Sequence, residues 1–285
     1  MLRKCVCFFL TLVLLTSSSV CSFGARKDVT ATIPSFSVSL NGLTFENNER
    51  EKYPLLVYKN ITYFPMTYYK SNLLNLETTW TKKGGLVVKK GNSATAKEFA
   101  YESLAVNSSS NNKKQKATII NSKVVVNGKT IDNMKETYPL LLFRDVTYFP
   151  LTWRFAVEEF GWNYTFDKNN GLRITADNFF YTANGDSYKK TSGESVLVPN
   201  ETYYIKDDLM IYIKTDYRLI GPLPQNLHII KNGIEATPVG YFGYYQKNGP
   251  LFSIDEGYIS TTYYSDPDER DAQPCKVNIE TGRIL

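Results

Sequence analysis

The chain has 285 residues, 42% hydrophobic and 21% charged, a length that suits about two domains and a composition too apolar for disorder. Lys and Arg total 33 against 28 Asp and Glu, a net charge of +5, and the charge is not gathered as nucleic-acid binding requires, so no nucleic-acid partner is expected. One histidine stands among 21 tyrosines and 16 phenylalanines; that excludes a three-histidine metal site within the chain and any mechanism needing two histidines.

Residues 1–24 read as a secretory signal peptide. Arg3 and Lys4 precede an apolar run from 5 to 15 broken only by Thr11, and Ser17, Ser18, Ser19, Ser22 and Gly24 are small residues near a cleavage point. The run is shorter than the roughly 20 residues that span a bilayer. No second apolar stretch follows, so no membrane span is expected after cleavage, and the location expected is secreted or cell surface. Cys21 follows Ser18 and Val20 where a lipobox wants a branched apolar and a small residue, so lipid anchoring there is the minor reading. Cleavage leaves Cys275 as the single thiol, without a disulfide partner and without a nearby histidine to activate it.

The body of the chain contains a repeat. Leu40-Asn41-Gly42 matches Val126-Asn127-Gly128, and residues 53–67 match residues 138–152 with conservative changes, at a spacing of 85 to 86 residues. The matched positions include Tyr53 and Pro54 with Tyr138 and Pro139, then Tyr63, Phe64 and Pro65 with Tyr148, Phe149 and Pro150. Each Asn-Gly pair between apolar stretches predicts a hairpin. Lys59-Asn60 and Arg144-Asp145 predict turns between two strands. Pro150 predicts the first turn of a helix over 151–160, with Leu151, Phe155 and Val157 or Phe160 as the buried stripe, Arg154 and Glu158 in water, and Gly161 ending it in the left-handed conformation. Asn75 holds the place of Gly161 in the first copy, whose helix is one residue shorter. A last hairpin over 163–174 turns at Asn169-Asn170-Gly171.

The run from Val126 through Tyr148-Phe149-Pro150-Leu151-Thr152-Trp153-Arg154 and Glu159-Phe160-Gly161 to Ile174 resembles the stalk module named after the N-terminal domain of copper amine oxidases, found singly and in tandem in exported proteins of Gram-positive bacteria. The sequence departs from that pattern at Thr152, where Arg is usual, and at Phe166-Asp167, where Trp-Asp is usual. The resemblance covers about residues 36–175 and implies a small antiparallel sheet wrapped on a helix and an accessory, spacer-like role. It does not carry over the oxidase activity, whose copper needs three histidines. The expected fold is therefore α+β: two small modules of antiparallel sheet packed on one helix, at 33–106 and 118–177, followed by a mostly β domain at 178–285.

Residues 107–117 are polar, without apolar periodicity, and read as a linker. Beyond 178 the pattern is short alternating runs, with strands expected over 209–215, 226–231 and 257–264 and hairpin turns at Asn184-Gly185, Asn232-Gly233 and Asn248-Gly249. The closing phrase from Cys275 to Leu285 resembles the last strands of a propeller-type blade. About 105 residues are too few for a closed propeller, so a small sandwich or open meander is expected.

Candidate sites are few. Asp266, Asp268 and Asp271 could offer oxygen ligands to calcium, but the run lacks the glycine and distal Glu of an EF-hand and reads first as a solvated loop. Asp167 to Gly171 has the wrong alternation for a calcium loop. Glu158 and Glu159 diverge by about 100° on a helix and cannot act as one acid–base pair. His228 reads as a strand residue. Nucleophile elbow, phosphate loop, Cys-x-x-Cys and His-Glu-x-x-His are absent from the sequence. The reading is a non-enzyme with no cofactor: an exported spacer or interaction scaffold whose partner is a cell-envelope polysaccharide or another surface protein. Consecutive aromatics (Tyr68-Tyr69, Phe179 to Tyr181, Tyr203-Tyr204, Tyr241 to Tyr245, Tyr263-Tyr264) read first as filling thin cores between small sheets. They also offer the polysaccharide alternative, since strand neighbours face opposite ways and one ring of each pair could stack on sugars. A hydrolase with carboxylates distant in sequence is the third reading.

Overall fold

The computed structural model describes residues 27–45, 47, 51–99, 111, 113–182, 187–189, 195–197, 201–214, 226–243, 249–265 and 272–285. The expected signal segment with Cys21, the acidic run holding Asp266, Asp268 and Asp271, the Asn184-Gly185 turn and Asn248 lie outside them.

The first copy supplies β1 (Asp28–Thr32), β2 (Val38–Leu40), β3 (Leu43–Phe45), β4 (Leu56–Tyr58), β5 (Ile61–Pro65), the helix α1 (Tyr68–Leu73), β6 (Leu76–Thr81) and β7 (Gly85–Lys90), with a short β8 (Lys97–Glu98) beyond. The second supplies β9 (Lys114–Ile119), β10 (Val124–Val126), β11 (Lys129–Ile131), β12 (Leu141–Phe143), β13 (Val146–Pro150), a π-helix (Trp153–Glu159), β14 (Asn163–Asp167) and β15 (Gly171–Thr175). The turns form as the sequence predicts: both central residues have positive φ at Asn41-Gly42, Lys59-Asn60, Asn127-Gly128 and Arg144-Asp145, the geometry whose twist matches paired strands.

The α+β expectation is corrected. The copies are not two sheets, each packed on its own helix; they exchange strands throughout. A closed antiparallel barrel runs β1-β4-β5-β13-β12-β9, half from each copy. Two four-stranded sheets, β11-β10-β7-β6 and β14-β15-β2-β3, each join a hairpin of one copy to a hairpin of the other. A lone hairpin is marginal in water, and each finds its missing partner in the opposite copy. The joins are parallel, β10 on β7 and β15 on β2. The helices are too short to be a layer, at six and seven residues.

The barrel interior explains two misread segments. One face of its strands forms a separate buried cluster of Ala31, Leu56, Tyr63, Ala117, Leu141, Phe143 and Tyr148. Small residues on β1 and β9 leave room for tyrosine rings on β5 and β13. Because only Ala117 of its first four residues is buried, β9 reads as polar linker in the sequence although Lys114–Ile119 is a full strand. Pro150 ends β13 and does not start the helix; Thr152 is the cap, as Thr67 is in the first copy, each accepting the amide three residues on. The extra residue of the second helix is absorbed as a π turn, in which Phe160 N–H donates to the Phe155 carbonyl.

The outer face of the barrel and the inner faces of the four-stranded sheets enclose the main core. Phe64, Phe149, Phe155, Phe160 and Trp162 meet there, with edge-on contacts from Phe149 to Phe155 at 5.2 Å and from Phe64 to Trp162 at 5.1 Å. Trp162 Nε1–H donates to the Leu74 carbonyl, tying one copy to the end of the other copy's helix.

The remainder is β16 (Asn178–Tyr181), β17 (Ser187–Lys189), β18 (Ser195–Leu197), β19 (Glu201–Lys206), β20 (Leu209–Lys214), β21 (Leu227–Lys231), β22 (Ile234–Glu235), β23 (Tyr241–Phe242), β24 (Ser253–Asp255), β25 (Tyr258–Tyr264) and β26 (Gln273–Asn278). A six-stranded sheet, β22-β21-β20-β19-β16-β8, borrows its last strand from the first copy. Strand alternation divides its side chains between two cores. Phe180, Tyr203 and Ile205 pack into the repeat core. Phe179, Ile211 and Ile213 pack with Phe242, Ile259 and Val277 of the last sheet, in which β23, β24 and β26 all pair with β25, and with Leu251 and Phe252 just before β24. Two sheets thus face one another across this second core, and the other face of the six-stranded sheet packs on the repeat core.

Candidate functional site

Most residues singled out by the repeat serve the fold. Tyr63, Phe64, Pro65, Tyr148, Phe149, Pro150, Phe155 and Phe160 are buried, as are Pro54 and Pro139, while Tyr53 and Tyr138 are half-buried. Arg154 and Glu158 face water as expected. Gly161 and Asn75 both take positive φ at the helix ends. Of the paired aromatics, Tyr68 is exposed, Tyr69, Tyr203 and Tyr264 are buried, and Tyr204 and Tyr263 are half-buried. Tyr203 and Tyr204 turn inward to opposite cores because the six-stranded sheet is packed on both faces.

His228 is on β21, as expected, and its ring stacks on Tyr212 at 4.5 Å, the end of a ladder through Tyr203 to Phe180. Its Nδ1 lies 2.6 Å from Glu235 Oε1, which also accepts from the Thr237 hydroxyl at 2.6 Å. Hydrogen bonds from Thr237 and His228 hold the Glu235 carboxyl below its ordinary value. Among the described residues, no group of three or more His, Cys, Asp or Glu is placed to hold a metal ion, and no helix is long and apolar enough to cross a membrane.

The structure brings together a site the sequence reading missed. A groove of about 510 Å³ opens on the outer face of β14-β15-β2-β3, floored by Ser37, Ser39, Thr44, Arg173 and Thr175 and walled by Met210 of β20. Strand register builds the floor: Thr165 stands opposite Arg173, Arg173 beside Ser39, and Ser39 opposite Thr44, so all four point to one face. The β14–β15 turn forms one end. There the Asp167 carboxylate accepts from the amides of Asn169 and Asn170 and from the Asn170 side chain. Those bonds, with a lesser contribution from Arg173, hold its carboxyl below the usual range. Ser37 Oγ–H donates to the Asn170 carbonyl and fixes the turn against β2. Gly171 is required here: its φ is +73°, and a Cβ would overlap the Ser37 carbonyl. Among the described residues Arg173 makes no ion pair, so its guanidinium is available to the groove. The missed signal was Arg173 on the outward phase of an alternating strand, which in the sequence is an ordinary surface arginine.

No family model, no curated protein and no solved structure matches this chain.

Proposed function

We propose that this is an exported, non-catalytic cell-surface or secreted protein in which the intertwined repeat pair is a scaffold carrying the C-terminal sheets. The observation that supports it is the strand exchange. Barrel and flanking sheets each take strands from both copies, so neither copy can be displaced without breaking several sheets. Such a body suits holding other groups at fixed positions. The signal-like segment 1–24 supports export. The test is expression of the full chain in a Gram-positive host, followed by fractionation and amino-terminal sequencing. Recovery in the medium or envelope with the segment removed is the expected result; intact chain held in the cytoplasm would overturn it.

A second reading, binding of an envelope polysaccharide, is supported by the groove rather than by the tyrosines. Its floor of hydroxyl and amide groups beside a guanidinium matches the many donors and acceptors of a sugar. Retention of the pure protein on insoluble cell-wall polysaccharide, lost on filling the groove by Ser39→Trp, checks it; equal retention of the variant would exclude the groove.

A further inference from the structure

The two-fold arrangement of the repeats supplies an internal comparison. The position equivalent to Arg173 in the other four-stranded sheet is Val87, and the position equivalent to Ser39 is Val125. Both valines pair in the matching parallel register on β7 and β10, so the fold accepts apolar side chains where the groove has a guanidinium and a hydroxyl. The polar pair is therefore not imposed by packing. Met210 closes the groove on this side, its Cε about 3.3 Å from where a Cβ on Gly42 would stand.

We infer that the groove binds an acidic sugar unit, with the carboxylate on Arg173. This deepens the polysaccharide reading and rests on it. A guanidinium presents two parallel N–H donors that fit a carboxylate in a fork. Ser39, Thr44 and Thr175 lie along the same floor and can exchange hydrogen bonds with the ring hydroxyls, while the Met210 thioether offers an apolar wall to the C–H face of the ring. The volume of about 510 Å³ falls in the range of small-ligand sites, about 300–1,000 Å³. Asp167 at the rim is fixed in the turn by its bonds from the Asn169 and Asn170 amides, which keep it charged and directed into the turn. The net charge of +5, or +3 once residues 1–24 with Arg3 and Lys4 are removed, favours approach of a polyanion.

The test is calorimetric titration of the full chain with tetragalacturonate, its neutral counterpart tetragalactose, and sodium acetate alone. Tetragalacturonate should bind, tetragalactose and acetate should bind far more weakly, and Arg173→Ala should weaken tetragalacturonate by about 10- to 100-fold. Lys89→Ala/Lys123→Ala, on the equivalent face of the other sheet, should change nothing. Arg173 is exposed, so its variant should melt like the parent. Tight tetragalactose binding with no effect of Arg173→Ala would refute the acidic sugar but keep the polysaccharide reading. Binding of none of the three would refute the acidic sugar while leaving wall retention to judge the polysaccharide. Equal acetate affinity, or loss through the lysine pair instead of Arg173, would show a general anion effect and overturn the proposal.

Discussion

Phe64 and Phe149, equivalent residues of the two copies, stand directly opposite one another where β5 pairs with β13. Thr30 and Lys116, also equivalent, are opposed in the same way on β1 and β9. A residue paired with its own equivalent marks a local two-fold relation, and the barrel is built around it. The relation extends to the Asn-Gly turns. Asn41 donates to the Leu73 carbonyl and accepts from Ala176 N–H, and Asn127 donates to the Glu159 carbonyl and accepts from Lys90 N–H.

The first prediction follows from that exchange. A fragment of residues 118–177, the second copy alone, should remain unfolded, because β10, β13 and β15 each lose the partner strand that the first copy supplies. Fragments 27–106 and 107–285 should each be largely unstructured but recover a cooperative melt when refolded together. Circular dichroism and size-exclusion chromatography check both; an autonomously folded 118–177 would contradict the shared sheets.

Phe155 and Arg154 are neighbours with opposite roles. Phe155 is buried against Phe149 and Phe160, and Phe155→Ala should cost about 3–5 kcal/mol in urea denaturation of the full chain. The Arg154 bond to Glu136 is on the surface, and Arg154→Ala should cost no more than about 1 kcal/mol. A reversed order would place the helix the wrong way round.

Asn41 is buried, with positive φ and three hydrogen bonds, counting its own N–H to the Ile174 carbonyl. Asn41→Ala removes both side-chain bonds and strands the Ala176 N–H, a loss of about 1–3 kcal/mol when buried unpaired, while the Leu73 carbonyl keeps the bond from the Asn178 side chain. Asn41→Asp should be at least as damaging, since the carboxylate cannot donate to Leu73 and would be a buried charge. Asn41→Gly, which relieves the backbone, should lie no lower than alanine. Thermal melts of the three variants check the order.

Tyr63 and Tyr148 are equivalent barrel residues whose buried hydroxyls have no hydrogen-bond partner among the described residues. Burial, first among the causes, raises both well above the ordinary tyrosine value. The folded value lies above the unfolded one, so this contribution is intact below about pH 10 and is lost as pH rises beyond it, when the unfolded chain releases protons the barrel retains. The slope approaches about 1.4 kcal/mol per pH unit for each ring. Tyr63→Phe/Tyr148→Phe should match or exceed the parent in stability at neutral pH and lose less of it above about pH 10. Urea midpoints across that range decide; parallel curves would contradict it.

Local chemistry carried much of the fold into the sequence. The Asn-Gly turns of the two copies, the left-handed Gly161 and the burial of Phe155 depend on neighbours within a few residues and stand where the pattern puts them, whereas the helix starts after the Thr152 cap and not at Pro150. The polar strand β9 was hidden because a barrel asks of it only the small inward Ala117. Phe155 has Lys70 as its equivalent, whose ammonium is buried against Glu51 and the Tyr53 carbonyl, a substitution no periodicity announces. Which copy's strands pair was decided in three dimensions. Two copies of one strand pattern offer each hairpin similar partners in itself and in its twin, so local pattern is degenerate and chain connectivity and the closing of the barrel choose between them. The groove depends on the same choice, since Ser39 and Arg173 are 134 positions apart and meet only because β2 lies beside β15.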